Sequence, residues 1–358
     1  MLRFFLRRLV LLIPVLIGIL IVTFTLTRLI PGDACVVMLG EKATPEKCAA
    51  FRDRYGLNDS LPVQFVRYLG TVAQGDFGTS VRNGRYVTDI LAERLPMTVE
   101  LAVAAMLFAT TFGVALGVLS AIRHNSSVDV GTVIGANIGV SIPVFVLGLL
   151  LAYIFALLLK NTPFFIPPSG RLSPGISMPS LVQLWGMENS PGLVQFLVSL
   201  ISNSVILHSI IIGRFDITQD ALWHLILPAV ALGTIPLAII ARLTRSSLLD
   251  VLGQDYIRTA RAKGLKERTT LWKHAFRSAL IPIVTIVGLQ VGGLLSGALL
   301  TETVFALPGV GTQIVTSITA RDYPVLQGFV VVVALMFALV TILVDMSYAF
   351  LDPRVRVQ

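Results

Sequence analysis

Residues 193–213 read LVQFLVSLISNSVILHSIIIG, a run without a single charge that nevertheless carries Gln195, Ser199, Ser202, Asn203, Ser204, His208 and Ser209. Whether it crosses a bilayer decides the fold, because one extra crossing moves every later loop to the other side. That a bilayer is involved follows from composition. The chain has 358 residues, 55% hydrophobic and 13% charged, whereas soluble domains are about 45–50% apolar and roughly one quarter charged. A water-soluble globule and a disordered chain are both excluded, since this much apolar surface must be buried somewhere.

A hydrocarbon core about 30 Å thick takes roughly 20 apolar residues per helix. Six windows meet that length: Leu9 to Leu29, Met97 to Ile122, Val130 to Leu159, Leu225 to Ala241, Leu280 to Leu300 and Gly328 to Leu351. The first is read as a retained helix: its apolar run exceeds a signal-peptide core, and IPGDACVVMLGE after it offers no small-residue cleavage site. The expected fold class is therefore all-α, a polytopic membrane protein of six transmembrane helices.

Charge placement argues against a seventh span. The formal net charge is +8. Residues 242–281 hold nine bases against Asp250, Asp255 and Glu267, and the leader adds Arg3, Arg7 and Arg8. The long loops 31–96 and 161–224 carry no basic excess. Short cytoplasmic loops concentrate Lys and Arg, so six spans with both termini inside put the whole excess on one side. A seventh would export the most basic loop. Residues 193–213 are accordingly expected to be interfacial or re-entrant.

Within the basic loop, QDYIRTARAKGL (254–265) interleaves bases with small apolar residues. Helical spacing aligns Ile257, Ala260, Arg261 and Gly264, and a small residue such as Ala lets another surface approach. Gly264 then stops the helix, with Arg261 and Lys263 in its last turn. A second helix, about 266–279, leads into the next span. On charge alone, a docking knob and a loop that only sets orientation stay equally open.

Several chemistries are missing from the sequence. No G-x-x-x-x-G-K-[ST] occurs, and the nearest run, GTSVRNGR (78–85), has the wrong spacing. LLSGALL (294–300) reads as a packing stripe of small residues. His124, His208, His224 and His274 form no i, i+4 pair, so no metal site is expected. Titratable groups in the spans are limited to Arg28 and Glu100 near span ends and Asp345 in the last span, which counts against an ion-coupled transporter. Cys35 and Cys48 lie in the first outer loop. Two readings stay level there, free thiols or a disulfide contributing about 3 kcal/mol through loop closure.

The order and spacing of further motifs carry a family resemblance across nearly the whole chain. They are FFLRRL and RLIPGD around the first span, GLNDSLPVQFVRYL (56–69), GDFGTS (75–80), LPMTVELA (95–102), HLILPAVALG (224–233), QDYIRTARAKGL, LLTETVFALPGVG (299–311), RDYPVLQG (321–328) and DPRVR (352–356). The chain resembles the permease subunits of binding-protein-dependent ABC importers, in the dipeptide/oligopeptide/nickel branch. It is most similar to the first of the two permeases of dipeptide-type importers. The resemblance covers 171–222 least.

That resemblance implies a division into an N-terminal span with its outer loop (1–96), a permease core (97–351) with an EAA-type loop at 242–281, and a cytoplasmic tail (352–358). It implies import of peptides across the cytoplasmic (inner) membrane of a bacterium. Nickel chelates, glutathione or haem-related cargo are the alternatives, with an ATP-independent secondary transporter or a bare membrane anchor further off. The implied partners are a second homologous permease, two cytosolic ATPases that bind ATP and Mg, an external substrate-binding protein and the lipid bilayer. Nucleic acid is not among them, and the chain itself would be non-catalytic and without a cofactor. By the resemblance Tyr256, Ile257, Arg258, Ala260, Arg261 and Gly264 form the ATPase-docking coupling helix. Glu302, Phe305, Pro308, Gly309, Arg321, Asp322 and Tyr323 would gate the path or receive the binding protein. The Glu-Ala-Ala of other branches is replaced here by Arg258, Thr259 and Ala260, so the contacts that Glu makes elsewhere have no counterpart.

Overall fold

Backbone amides find no water in hydrocarbon, so apolar runs satisfy them internally by winding into helices. A computed structural model describes residues 2–29, 35–36, 43–54, 58–187 and 192–351. Helix α1 (Leu2–Leu29) is followed by α2 (Pro45–Arg54), α3 (Leu61–Ala73) and α4 (Val87–Ile122). Next come α5 (Ser127–Ser141) and α6 (Val144–Ala152), which continues through a π-helical turn at Tyr153–Leu158. The short α7 (Leu181–Leu184), α8 (Gly192–Asn203) and α9 (Val205–Ile211) precede α10 (Phe215–Leu252). Beyond α10 lie α11 (Asp255–Ala262), α12 (Glu267–Thr269), a second π-helical turn at Thr270–Ala275, α13 (Phe276–Val304), α14 (Val310–Thr319) and α15 (Tyr323–Leu351).

Among the described residues four stretches are long and apolar enough to cross a membrane unaided: Val87–Ile122, Phe215–Leu252, Glu267–Leu294 and Tyr323–Val344. The first two contain and overrun the expected spans Met97 to Ile122 and Leu225 to Ala241, while Leu280 to Leu300 and Gly328 to Leu351 fall within the full helices α13 and α15. Helix α4 begins ten residues before Met97, and α10 extends well beyond Leu225 to Ala241 at both ends. Charge stops an apolar window, whereas helical hydrogen bonding continues into the aqueous boundary. The N-terminal helix packs on α15, and its Phe24 ring meets Phe65 and Tyr68 of α3 at centroid distances of 5.4 and 5.9 Å. Cys35 and Cys48 are joined as a disulfide with Cα atoms 5.3 Å apart.

The expected span Val130 to Leu159 is not one straight helix. It breaks between α5 and α6 with a bend of 101°. Pro143 has no N–H to donate, and it pushes the preceding Ile142 into an extended conformation (φ −84°, ψ 123°). The two halves still cross together. Asp129 at the start of α5 sits beside Ser120 and Arg245, and Leu151, Ala152 and Phe155 pack into a cluster with Met97, Leu101, Leu225 and Phe305 at the far end.

Residues 193–213 also form two helices, bent by 94° at Ser204. Their topology follows from how α4 and α10 pack. Ala105 and Phe108 lie against Gly233, Gly113 against Leu237 and Ile240, and Gly117 against Ala241 and Thr244, so the two helices run parallel. With α5–α6 returning across the bundle, α10 starts at the same end as α4. The segment between them therefore leaves and re-enters at one end without crossing, as the charge placement predicts. The close approach needs small residues, since a Cβ on Gly117 would overlap the Ala241 carbonyl and the Thr244 side chain. Outward faces stay apolar and exposed, with Val103, Leu107 and Phe112 on α4 and Leu335, Phe337 and Leu339 on α15, the inverse of a soluble surface.

Candidate functional site

At the end of the bundle that carries the basic loop, α11 stands as a short knob beneath the C-termini of α4 and α10. Ile257 and Ala260 are buried, Ile257 within a cluster of Val118, Ala121, Leu248, Leu271 and Ala275. These two residues turn toward their own chain. They fix the helix to the bundle, and Tyr256, Arg258, Thr259, Ala262 and Lys263 are exposed. Arg261 is also exposed but reaches back to Glu267 through Nε and Nη2 at 3.1 and 2.6 Å, and that carboxylate holds its guanidinium above the usual range.

Gly264 closes α11 with φ +76°, a left-handed conformation that costs other residues about 1–2 kcal/mol. Its N–H donates to Arg261 O, and Leu265 N donates to Ala260 O. The chain then enters α13 through the π-helical turn at 270–275, where Leu271 and Ala275 join the cluster around Ile257. Movement of α11 is thus coupled by direct packing to three long helices.

Above α11 lies a polar staple that the sequence did not reveal. Asp129 accepts from Arg245 Nε and Nη2 at 2.6 and 2.8 Å, from Asn125 N at 3.0 Å and from Ser120 Oγ. It ties the start of α5 to α4 and α10. Asp129 lies just before a window boundary, where a lone acid looks like ordinary solvated surface, and only packing shows it to be buried.

At the opposite end, the 299–328 motifs build a rigid cap. Glu302 is fully buried; its carboxylate accepts from Thr98 Oγ1 at 2.5 Å and Thr312 N at 3.1 Å, and Thr98 Oγ1 in turn accepts from Val310 N. Phe305 is buried against Gly148. Gly309 leaves the space that the Glu302 carboxyl fills. Asp322 is buried and accepts from Ser80 Oγ at 2.5 Å and Val81 N at 3.1 Å, which fastens the 78–86 turn to the cap. Pro308 and Tyr323 are half-buried, and Arg321 is exposed with φ +54°. Of the seven residues that the resemblance assigns to a gate or binding-protein contact, Glu302, Phe305, Gly309 and Asp322 shape this end from within, and Pro308, Arg321 and Tyr323 reach its surface.

The bent pair α8–α9 is held at the same end by Glu100 on α4. That carboxylate accepts from Ser204 Oγ, Ile206 N and Arg171 Nη2 at 2.7, 2.9 and 2.8 Å. Glu100 was noticeable in sequence as a charge within a span, but its partners lie some 70–106 residues away. His208 and His224 are buried and donate from Nδ1 to the carbonyls of Ser202 and Asp220. Among the described residues no group of three His, Cys, Asp or Glu side chains is placed to hold a metal ion. Side chains at Arg28 and Asp345, and the tail 352–358, lie outside the described residues.

A helical bundle that crosses the membrane several times, with a packed knob at its basic end and a rigid cap at the other, is the architecture of a multi-pass transport permease. Residues 113–357 match the family described as binding-protein-dependent transport system inner membrane component, and residues 1–102 match its N-terminal companion model. The chain belongs to this family of inner-membrane transporter subunits. It is 44% identical to the dipeptide transport system permease protein DppB of Alkalihalophilus pseudofirmus over 99% of this chain and 100% of the relative. It is also 44% identical to the di/tripeptide transport system permease protein DppB of Pseudomonas aeruginosa (100% of each chain), and 42% identical to the Escherichia coli dipeptide permease DppB (99% of each).

Proposed function

We propose that this chain is one of two homologous permeases lining the path of an ATP-driven importer of dipeptides or other short peptides. Two cytosolic ATPases bind ATP and Mg and dock on α11, an external binding protein delivers cargo to the capped end, and both termini are cytoplasmic. The chain performs no chemistry itself. It converts closure of the ATPase pair into a rigid-body shift of α4, α10 and α13. The observation that carries this reading is α11 itself: an exposed face of Tyr256, Arg258 and Lys263 on a helix whose other face is locked into the ends of the spans. The similarity to dipeptide and di/tripeptide permeases supports peptide cargo over nickel chelates, glutathione or haem-related compounds.

The test is Gly264→Asp and, separately, Arg258→Glu in the complete importer. Gly264→Asp strains the helix stop, and Arg258→Glu reverses charge on the exposed face. Both are expected to reduce co-purification of the ATPases and ATP-dependent uptake of radiolabelled dipeptide by about tenfold or more, the effect of losing roughly 1.4 kcal/mol of binding. Full assembly and uptake in both variants would remove α11 from the docking role. Proton-driven dipeptide uptake by the chain without ATPases would overturn the importer reading altogether.

A further inference from the structure

Beside the cap, between the 78–86 turn and α14, lies a cavity of about 470 Å³ that none of the contacts above explains. Its walls include Ser80, Arg82, Arg94, Leu307, Thr312 and Asp322. The volume lies within the range of about 300–1,000 Å³ typical of small-molecule sites. Asp322, the carboxylate on this wall, is already occupied by the Ser80 hydroxyl and the Val81 amide. The two guanidinium groups are not. Arg82 makes no ion pair or hydrogen bond among the described residues. Arg94 reaches Glu93 only at 3.5 Å, while that carboxylate sits nearer Arg85, at 2.9 Å. Arg94 Nε is buried with no hydrogen-bond partner among the described residues. A buried donor left open takes an acceptor from water or from a ligand, and beside a cavity a ligand can supply it. A guanidinium is shaped to take a carboxylate through two parallel bonds.

We propose that this cavity binds the terminal carboxylate of a short peptide, held by Arg82 and Arg94, with the Thr312 and Thr316 hydroxyl oxygens, whose protons go to backbone carbonyls, left as acceptors beside the Gln313 side chain for the peptide unit behind it. The proposal rests on the preceding reading, that the capped end faces outward and the cargo is peptide. An acidic side chain of the binding protein offers the same chemistry. A lone carboxyl and its methylene groups would leave most of the cavity empty, however, and the polar wall beyond the arginines suits peptide groups. Because Leu307 and Thr312 belong to the cap organised by Glu302, the site is rigid before cargo arrives.

The experiment uses the complete importer in proteoliposomes with the binding protein outside and ATP inside, and radiolabelled alanyl-alanine as probe. Two quantities are read: peptide taken up per ATP hydrolysed, and the concentration of loaded binding protein that half-saturates hydrolysis. In Arg82→Gln/Arg94→Gln the first is expected to fall about tenfold, from loss of charge-assisted hydrogen bonds, while the second moves less than about twofold. Arg94→Lys, which keeps the charge and loses the fork, is expected to fall between. If the half-saturating concentration rises tenfold and uptake per ATP holds, the cavity receives the binding protein and the proposal is wrong. Unchanged values for both also overturn it. Failure of the parent importer to carry alanyl-alanine, with another cargo carried instead, would refute the peptide reading itself and is told apart by the parent control.

Discussion

Replacing Glu100 by Ala tests the account of the re-entrant pair. The carboxylate is 8% exposed and its partner Arg171 16%. Removal leaves Arg171 with Asn203 O as its remaining acceptor and strips Ser204 Oγ and Ile206 N of theirs. Breaking a buried ion pair from one side costs about 3–5 kcal/mol. The lower figure applies because Arg171 keeps one bond and some exposure. The loss falls locally: α4 is held by α10 along its length, whereas α8 and α9 meet at a 94° bend whose free amide is satisfied by Glu100. About 3 kcal/mol corresponds to roughly 100-fold more frequent opening. Hydrogen exchange read by mass spectrometry on the assembled importer is therefore expected to show amides of 193–212 exchanging about 100-fold faster, with those of α4 and α10 unchanged. Glu100→Gln keeps an acceptor for Ser204 and Ile206 and is expected to fall between. Exchange of 193–212 within about threefold of the parent, or acceleration spread evenly over α4 and α10, would refute the reasoning.

Gly309→Ala places a Cβ inside the space of the Glu302 carboxyl and drives it off Thr98 and Thr312; the thermal midpoint in detergent is expected to fall by several degrees. Gly293→Ala, where a Cβ meets nothing within 4 Å, serves as the unaffected control. Asp129→Ala and Arg245→Ala are each expected to lower that midpoint, and the double variant to lower it by less than the sum; additive shifts would show that the staple contributes nothing as a pair. Alkylation of the unfolded chain without reductant is expected to label neither Cys35 nor Cys48, and after reduction both; two labelled thiols before reduction would contradict the disulfide.

Much of the fold was legible because a bilayer imposes a simple rule: apolar runs must be helical, and bases collect on one side. That rule alone separated 193–213 from the true crossings, and the parallel packing of Ala105 on Gly233 and Gly117 on Ala241 agrees with it. The Gly264 stop and the short helix before it were visible for a similar local reason, since a left-handed residue just past a helix end favours glycine. Chain-wide burial was not visible. Ile257 and Ala260 read as an outward stripe because helical spacing says which residues share a face, not what that face meets. The bend at Pro143, hidden in an uncharged window, depends on one missing N–H that hydropathy does not register.

The sequence by itself determined class, approximate spans, orientation of charge and family resemblance, all of which depend on composition or short motifs. Only the tertiary structure decided where polar groups are spent. Glu100 finds Arg171 and Ser204, Asp129 finds Arg245, and Glu302 finds Thr98 across separations of 71 to 204 residues. Arg82 and Arg94 border one cavity with donors to spare. A carboxylate or guanidinium buried near a membrane must be neutralised by a specific partner, and which partner that is depends on helices meeting in space.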